Sequence, residues 1–262
     1  MARKSGWAAF PYPDQAYDYA GPALKKHWAR LHLGDREPFP REPELAEAWR
    51  CFHRGDFERA VQLGLELGPS GFAVANKAQA IYANYLEPNQ ARKIKLLEEV
   101  GARAEKAIAA LPKHANSHYL YAYALGRRSQ SLSVVEALAQ GIGGRIRDAL
   151  ARTLSLEPKH AEAHTAVGTY HAEILDKAGG LLGALTYGAS KDEALKHYRK
   201  SLELHPKSAI ARIEFSGGLL MMYGKSRLEE ATRLMVEASK QEPVDAMERL
   251  DVELARSKLE EV

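Results

Sequence analysis

A single cysteine among 262 residues, Cys51, excludes an intramolecular disulfide framework and a cysteine-based zinc cluster. Basic runs are missing too. No stretch of Lys or Arg exceeds two residues, and 37 basic against 34 acidic residues leave a formal net charge of +3. That small excess indicates no nucleic-acid partner. Nothing approaches the roughly 18 consecutive apolar residues of a transmembrane helix. The apolar residues 7–10 are cut short by Pro11 and Pro13, below the about 7–15 residues of a secretory core. Position 2 is Ala rather than Gly, and the C-terminus carries no prenylation box. The expected location is cytoplasmic, with no transmembrane segment. Strand alternation is absent as well. No Ser-His-Asp order, paired catalytic carboxylates or HExxH can be assembled. This argues against an enzyme, and no catalytic residue or cofactor is assigned.

What is present is an internal repeat. Ala115-Asn-Ser117-His118-Tyr-Leu-Tyr121-Ala122 aligns with Ala161-Glu-Ala163-His164-Thr-Ala-Val167-Gly168, small residue on small and bulky on bulky. Each copy follows the same punctuation: Pro112-Lys-His-Ala, Pro158-Lys-His-Ala and Pro206-Lys-Ser-Ala. Small first, third and eighth positions with bulky fourth and seventh ones mark a helix packed closely along one stripe. A second helix type recurs as Ala194, Tyr198, Ser201, Pro206 and as Ala231, Met235, Ala238, Pro243. This alternation resembles the tetratricopeptide repeat (TPR), a helix–turn–helix unit of roughly 34 residues. The units here are longer, at 46, 48 and 37 residues between Pro112, Pro158, Pro206 and Pro243. The extra residues fall in SQSLSVVEALAQGIGG and LDKAGGLLGALTYGAS.

Those insertions, with ALGRRS, GGRIRDALARTLSLEPKHAEAH and LLGALTYGASKDEALKHYRKSLELHP, resemble the regulator of microtubule dynamics family over residues 70–244. The resemblance implies a helical binding scaffold, with microtubule association or lipid contact in some animal members, and no reaction. The expected fold is all-α: a right-handed TPR-like superhelix of four or five helical hairpins with a C-terminal capping helix.

In order, residues 1–43 read as an N-terminal arm and helix, with aromatics Phe10, Tyr12, Tyr17 and Tyr19 lying along the helices. Residues 44–262 read as the repeat domain. A first hairpin spans 44–67, turning at Gly55-Asp56. Ser190-Lys-Asp-Glu193 and Ser226-Arg-Leu-Glu229 each have the capping-box spacing. Met247, Leu250 and Leu254 form a narrow stripe on the last helix, expected to cover the final repeat.

Candidate chemistry is sparse. His160, His164 and His171 share a helical face and could suit a metal. Repeat position explains His160 and His164 without one, so no metal site is assigned. Residues 179–188 are either close packing or a lip over a groove. In the TPR resemblance, columns five and nine of the first helices face the concave side, giving Asn84, Tyr119, Tyr123, Thr165 and Thr169, and column thirteen adds Arg127. Tyr119 and Tyr123 either line that groove or pack between repeats. The leading expectation is a scaffold for protein–protein interaction, holding a peptide or protein partner in the groove. The alternative is a lipid or other hydrophobic ligand enclosed by arm, groove and the 179–188 insertion.

Overall fold

The recurrent Pro-Lys-His/Ser-Ala turn becomes, in three dimensions, the start of the helices that begin at Ala115, Ala161 and Ala209. His160 Nδ1 accepts the Ala163 N–H (3.0 Å) and Ser208 Oγ accepts the Ala211 N–H (3.1 Å). Each caps donors that a helix N-terminus leaves unpaired. His114 uses the same place differently, with its Nδ1 against Ser117 Oγ at 2.9 Å.

The computed structural model describes residues 6–179, 183 and 186–261, and every regular element among them is helical. After α1 (Pro22–Leu31) come the hairpin α2 (Pro43–His53) with α3 (Phe57–Glu66), and then α4 (Phe72–Tyr85) with α5 (Gln90–Ala110). Next is α6 (Ala115–Ser129), which reaches its partner α8 (Ile142–Leu156) through a short α7 (Val134–Ala139). The last pairs are α9 (Ala161–Ala178) with α10 (Lys191–Leu204), and α11 (Ala209–Tyr223) with α12 (Leu228–Ser239). The chain then forms α13 (Ala246–Glu260). This is the TPR-like superhelix of hairpins, its inner face formed by α2, α4, α6, α9 and α11.

Small residues in the repeat columns admit bulky neighbours. A Cβ built on Gly168 of α9 would lie 2.8 Å from the Tyr198 ring. Tyr198 is buried and stacked on Phe215 at 4.9 Å, so it cannot swing aside. Gly168→Ala is expected to cost about 1–3 kcal/mol by overpacking, read as a lower urea midpoint with an unchanged m-value. An unchanged midpoint would mean that α9 and α10 can slide apart freely.

Two start signals fare differently. Ser190 Oγ accepts the Glu193 N–H (3.4 Å), but the Ser190 N–H donates to His171 Nδ1 (3.4 Å), so only half of that box forms. The Ser226 box does not form. Gly224, at φ +58°, turns residues 224–227 into a 3₁₀ segment, and Ser226 Oγ donates back to the Tyr223 carbonyl. Helix α12 therefore begins later, at Leu228.

The chain's ends are joined. Trp7 packs on Tyr82 (3.9 Å), Phe10 lies over Gly55, and Tyr17 and Tyr19 are buried. Helix α1 places Leu24, Trp28 and Leu31 in the same apolar core as Trp49, Phe52 and Tyr82. Cys51 is buried beside them, and burial pushes its thiol up to about 11. At the other end, α13 packs on α11 and α12 through Val252 and Ala255. It does more than cover the last repeat. Ala246 and Leu250 belong to the core that holds α1 and α2. Tyr19 Oη donates to the Val244 carbonyl (2.6 Å), and Arg30 grips both Glu248 oxygens at 2.6 and 2.9 Å. The expected Met247–Leu250–Leu254 stripe is thus widened to two faces, because α13 has neighbours on two sides. Met247 and Leu254 are half-buried, whereas Leu250, Asp251, Val252 and Ala255 are fully covered.

Candidate functional site

Column two of the inner helices holds Lys77, Asn116 and Glu162, and all three meet the segment that follows α1. Lys77 Nζ donates to Asp35, and Asn116 Nδ2 donates to Glu37 and to the Asp35 carbonyl. The Glu162 N–H donates to the Gly34 carbonyl (3.0 Å), and its carboxylate accepts from Lys77 (3.0 Å). Residues 32–37 therefore lie across the concave face, over α4, α6 and α9, where an external peptide would have to run.

Next to Glu162 lies a half-open cavity of about 170 Å³. Tyr119, Tyr123 and Arg127 of α6 and Thr165 and Thr169 of α9 all line it. Helical periodicity brings these five together, since residues four apart share a face. Asn84 is not among the lining residues. It lies in the last turn of α4, where the Asn84 carbonyl takes the Lys93 ammonium (3.3 Å). Tyr119 does both things the sequence allowed. It lines the cavity and is also buried against His160, with ring centroids 4.6 Å apart.

Sequence reasoning missed the opposite wall. Ile146 of α8, Ile210 and Glu214 of α11, and Met247 and Asp251 of α13 also line the cavity, with Tyr85 beside them. Asp251 sits in a charged stretch that reads as solvated. Its placement depends on α13 folding back, which no local pattern signals.

Most polar groups of this wall are already engaged, whereas the buried Tyr170 hydroxyl has no hydrogen-bond partner. Arg127 Nη2 donates to Glu214 (2.7 Å), while its guanidinium carbon lies 5.2 Å from the Tyr123 ring centre. Burial pulls Arg127 down, yet the facing Glu214 carboxylate outweighs it and holds the guanidinium well above its ordinary range. Burial likewise pushes Glu214 up, but Arg127 and Thr169 bring it below its usual value. Thr169 Oγ1 donates to Glu214 (3.0 Å) and accepts from Tyr198 Oη (3.1 Å). Thr165 Oγ1 bonds Ser201 Oγ at 2.7 Å. Tyr85 donates to Asp251, whose carboxyl is driven well above the carboxylate range, chiefly by burial. The wall therefore presents aromatic faces, methyl groups, neutralised pairs and the unpartnered Tyr170 hydroxyl.

The histidines diverge. His160 Nε2 meets Asn116 Oδ1 (2.8 Å), His164 Nδ1 meets His197 (2.8 Å), and His171 accepts from Ser190. Among the described residues, no three His, Cys, Asp or Glu side chains are placed to hold a metal ion. None of the described helices is long and apolar enough to cross a membrane. The alternative readings of 179–188 fall on residues 180–182, 184 and 185, which lie outside those described.

Comparison with known proteins agrees with the repeat reading. The sequence profile described as "Regulator of microtubule dynamics protein 1-3" matches residues 69–261. No curated protein matches. A solved structure, that of a thermophilic TPR protein in Thermus thermophilus, aligns with a TM-score of 0.58 at 16% identity. The alignment covers 82% of this chain and 97% of that one, a likeness of fold.

Proposed function

Because the chain belongs to the regulator of microtubule dynamics family, we propose that it is a non-enzymatic helical-repeat scaffold that encloses an apolar ligand in the cavity between α6, α8, α9, α11 and α13. One observation carries this reading: Arg127 with Glu214, Tyr85 with Asp251, and Thr165 and Thr169 with neighbouring side chains are already paired, so that the buried Tyr170 hydroxyl is the group left to meet a guest's polar atom. An unpaired buried polar group would cost about 1–3 kcal/mol, so a wall built this way favours a hydrocarbon surface over a peptide backbone. TPR-like scaffolds commonly serve protein interaction. An extended peptide along the groove is the weaker reading here, because residues 32–37 already lie across the inner helices.

The volume sets the guest's scale. A cavity of about 150 Å³ with apolar walls accommodates benzene, so about 170 Å³ suits one aromatic ring or a short length of acyl chain. The test is a titration with toluene followed by ligand-observed NMR, alongside native mass spectrometry before and after solvent extraction. Ala166 lines the cavity and is half-buried. Ala166→Trp should fill the space and weaken probe binding at least about tenfold, equivalent to about 1.4 kcal/mol, with a melting temperature close to that of the parent. Probe binding that survives this change, or no binding by the parent, would sink the assignment.

A further inference from the structure

Four side chains from three separate parts of the chain form one continuous line of hydrogen bonds. Asp35 Oδ1 meets His32 Nδ1 (2.9 Å), His32 Nε2 meets His53 Nε2 (3.2 Å), and His53 Nδ1 meets Asp245 Oδ2 (2.8 Å). All four are at most 3% exposed. They tie the segment after α1 to the end of α2 and to the first turn of α13. Asp245 also caps α13 by accepting the Glu248 N–H (2.8 Å).

This geometry fixes a proton count. Asp35 additionally accepts from Lys77 and from the Glu37 N–H, and Asp245 from the Glu248 N–H, so both carboxylates act as acceptors. Each imidazole therefore carries a proton on Nδ1. The two Nε2 atoms face each other with room for one proton between them. The line is complete with three protons on the two rings, one positive charge between two carboxylates. A fourth proton sets two N–H groups and two cations against each other.

We propose that His32 and His53 form a proton-operated latch that holds α1, its following segment and the cavity-lining helix α13 together, and that uptake of one further proton opens it. The α13 side of the latch reaches the cavity wall directly through Met247 and Asp251, whereas Asp35 reaches it only through Lys77, which also holds the lining residue Glu162. The latch thereby holds the α13 wall of the cavity in place. The latch itself does not depend on the apolar-ligand reading; only its consequence for a guest does.

The surroundings set the direction. Besides Asp35 and Asp245, the pair faces Lys77 on α4, with Glu162 of α9 behind it, and the Tyr19 ring from the arm, 6.3 Å from His53. Behind Asp245 stands Glu248, paired with Arg30, whose Nη1 lies 3.4 Å from His205 Nε2. Trp28 stacks on His32 at 4.0 Å and the Trp49 ring lies 4.7 Å from it, so the pair is walled by aromatics. Burial lowers His53 below its ordinary 6.5; Asp245 opposes this, and His32 and Lys77 add to it. A histidine depressed in the closed state binds fewer protons there than when released. As pH falls below about 6.5 the released rings take up the fourth proton that the closed line disfavours, and closure is lost.

The test is hydrogen exchange by mass spectrometry on the full chain from about pH 7.5 to about 5.0, corrected for intrinsic rates. Residues 22–40 and 246–260 should lose protection by about tenfold per pH unit below about 6.5, the limit for one proton per opening, while α5 and α8 keep theirs. His53→Gln should reduce that slope by about one proton. Protection unchanged across that range, or lost in step with α5 and α8, would overturn the latch, as would a full slope in His53→Gln. If the variant does not fold, the parent's slope decides. Toluene should leave over the same pH range. A probe that binds at no pH defeats the ligand reading, and the exchange slope still decides the latch.

Discussion

Replacing Lys77 by methionine is expected to remove about 3–5 kcal/mol of stability, the cost of breaking a buried ion pair from one side. The Lys77 ammonium is buried between Asp35 and Glu162. Burial alone would drive its pKa down, but the two carboxylates more than reverse that and hold it above its ordinary value. With a raised pKa, its contribution is fully present below about 10.4, the unperturbed lysine value, and is lost only in strong alkali. Asp35 shows the complementary shift: burial pushes its carboxyl up, and Lys77 with His32 brings it well below the usual range. Its contribution is present above its ordinary 3.8 and fades as pH falls below that. Glu162 is raised despite Lys77, because burial and Asp35 outweigh that attraction. Asp35 is therefore the principal counter-ion. Lys77→Met measured by urea unfolding at neutral pH should show the loss, and adding Asp35→Leu should recover a large part of it by removing the stranded charge. A loss under about 1 kcal/mol for the single variant, the scale of an exposed pair, would contradict the buried cluster.

Removing residues 1–40 should leave no folded monomer. Those residues bury Tyr17, Tyr19, Leu24, Trp28 and Leu31. At about 1.5–3 kcal/mol for each large apolar side chain, their loss rivals a typical total stability of about 5–15 kcal/mol. The cut also bares Trp49 and His53 and strands Lys77, Asn116 and Asp245, whose partners lie in or against the removed segment. Size-exclusion chromatography with circular dichroism should report aggregation or a loosely packed helical state. A truncated monomer melting within a few degrees of the parent would show that the N-terminal segment is a detachable tail.

The hairpins and the inner helix faces were legible because packing columns are local. Ala122 and Gly168 repeat where backbones approach, and Tyr119, Tyr123 and Arg127 share a face by helical periodicity alone. Asn84 fell outside the cavity wall because α4 ends at Tyr85, ahead of Pro88, and its last turn turns to α5. The polar layer was not legible. His32, Asp35, Asp245 and Glu162 read as ordinary charges on loops and solvated faces, and apart from the His32–Asp35 contact the partners that join them lie 21 to 192 residues away. One local signal existed. Lys77 is the lone charge in FAVANKAQAIYA, a helix buried on nearly every side, and such a charge requires a partner.

Contact between α13 and α2 has a consequence for how this family member can vary. An open solenoid tolerates one more or one fewer repeat, because each unit depends only on its neighbours. Here Asp245 must arrive at His53, and Glu248 at Arg30, after a fixed number of turns of the superhelix. Inserting or deleting a hairpin anywhere between α3 and α12 would carry α13 away from its seat. The repeat number is thereby locked, and the chain trades a polymer's freedom to grow for the single, countable length of a closed ring.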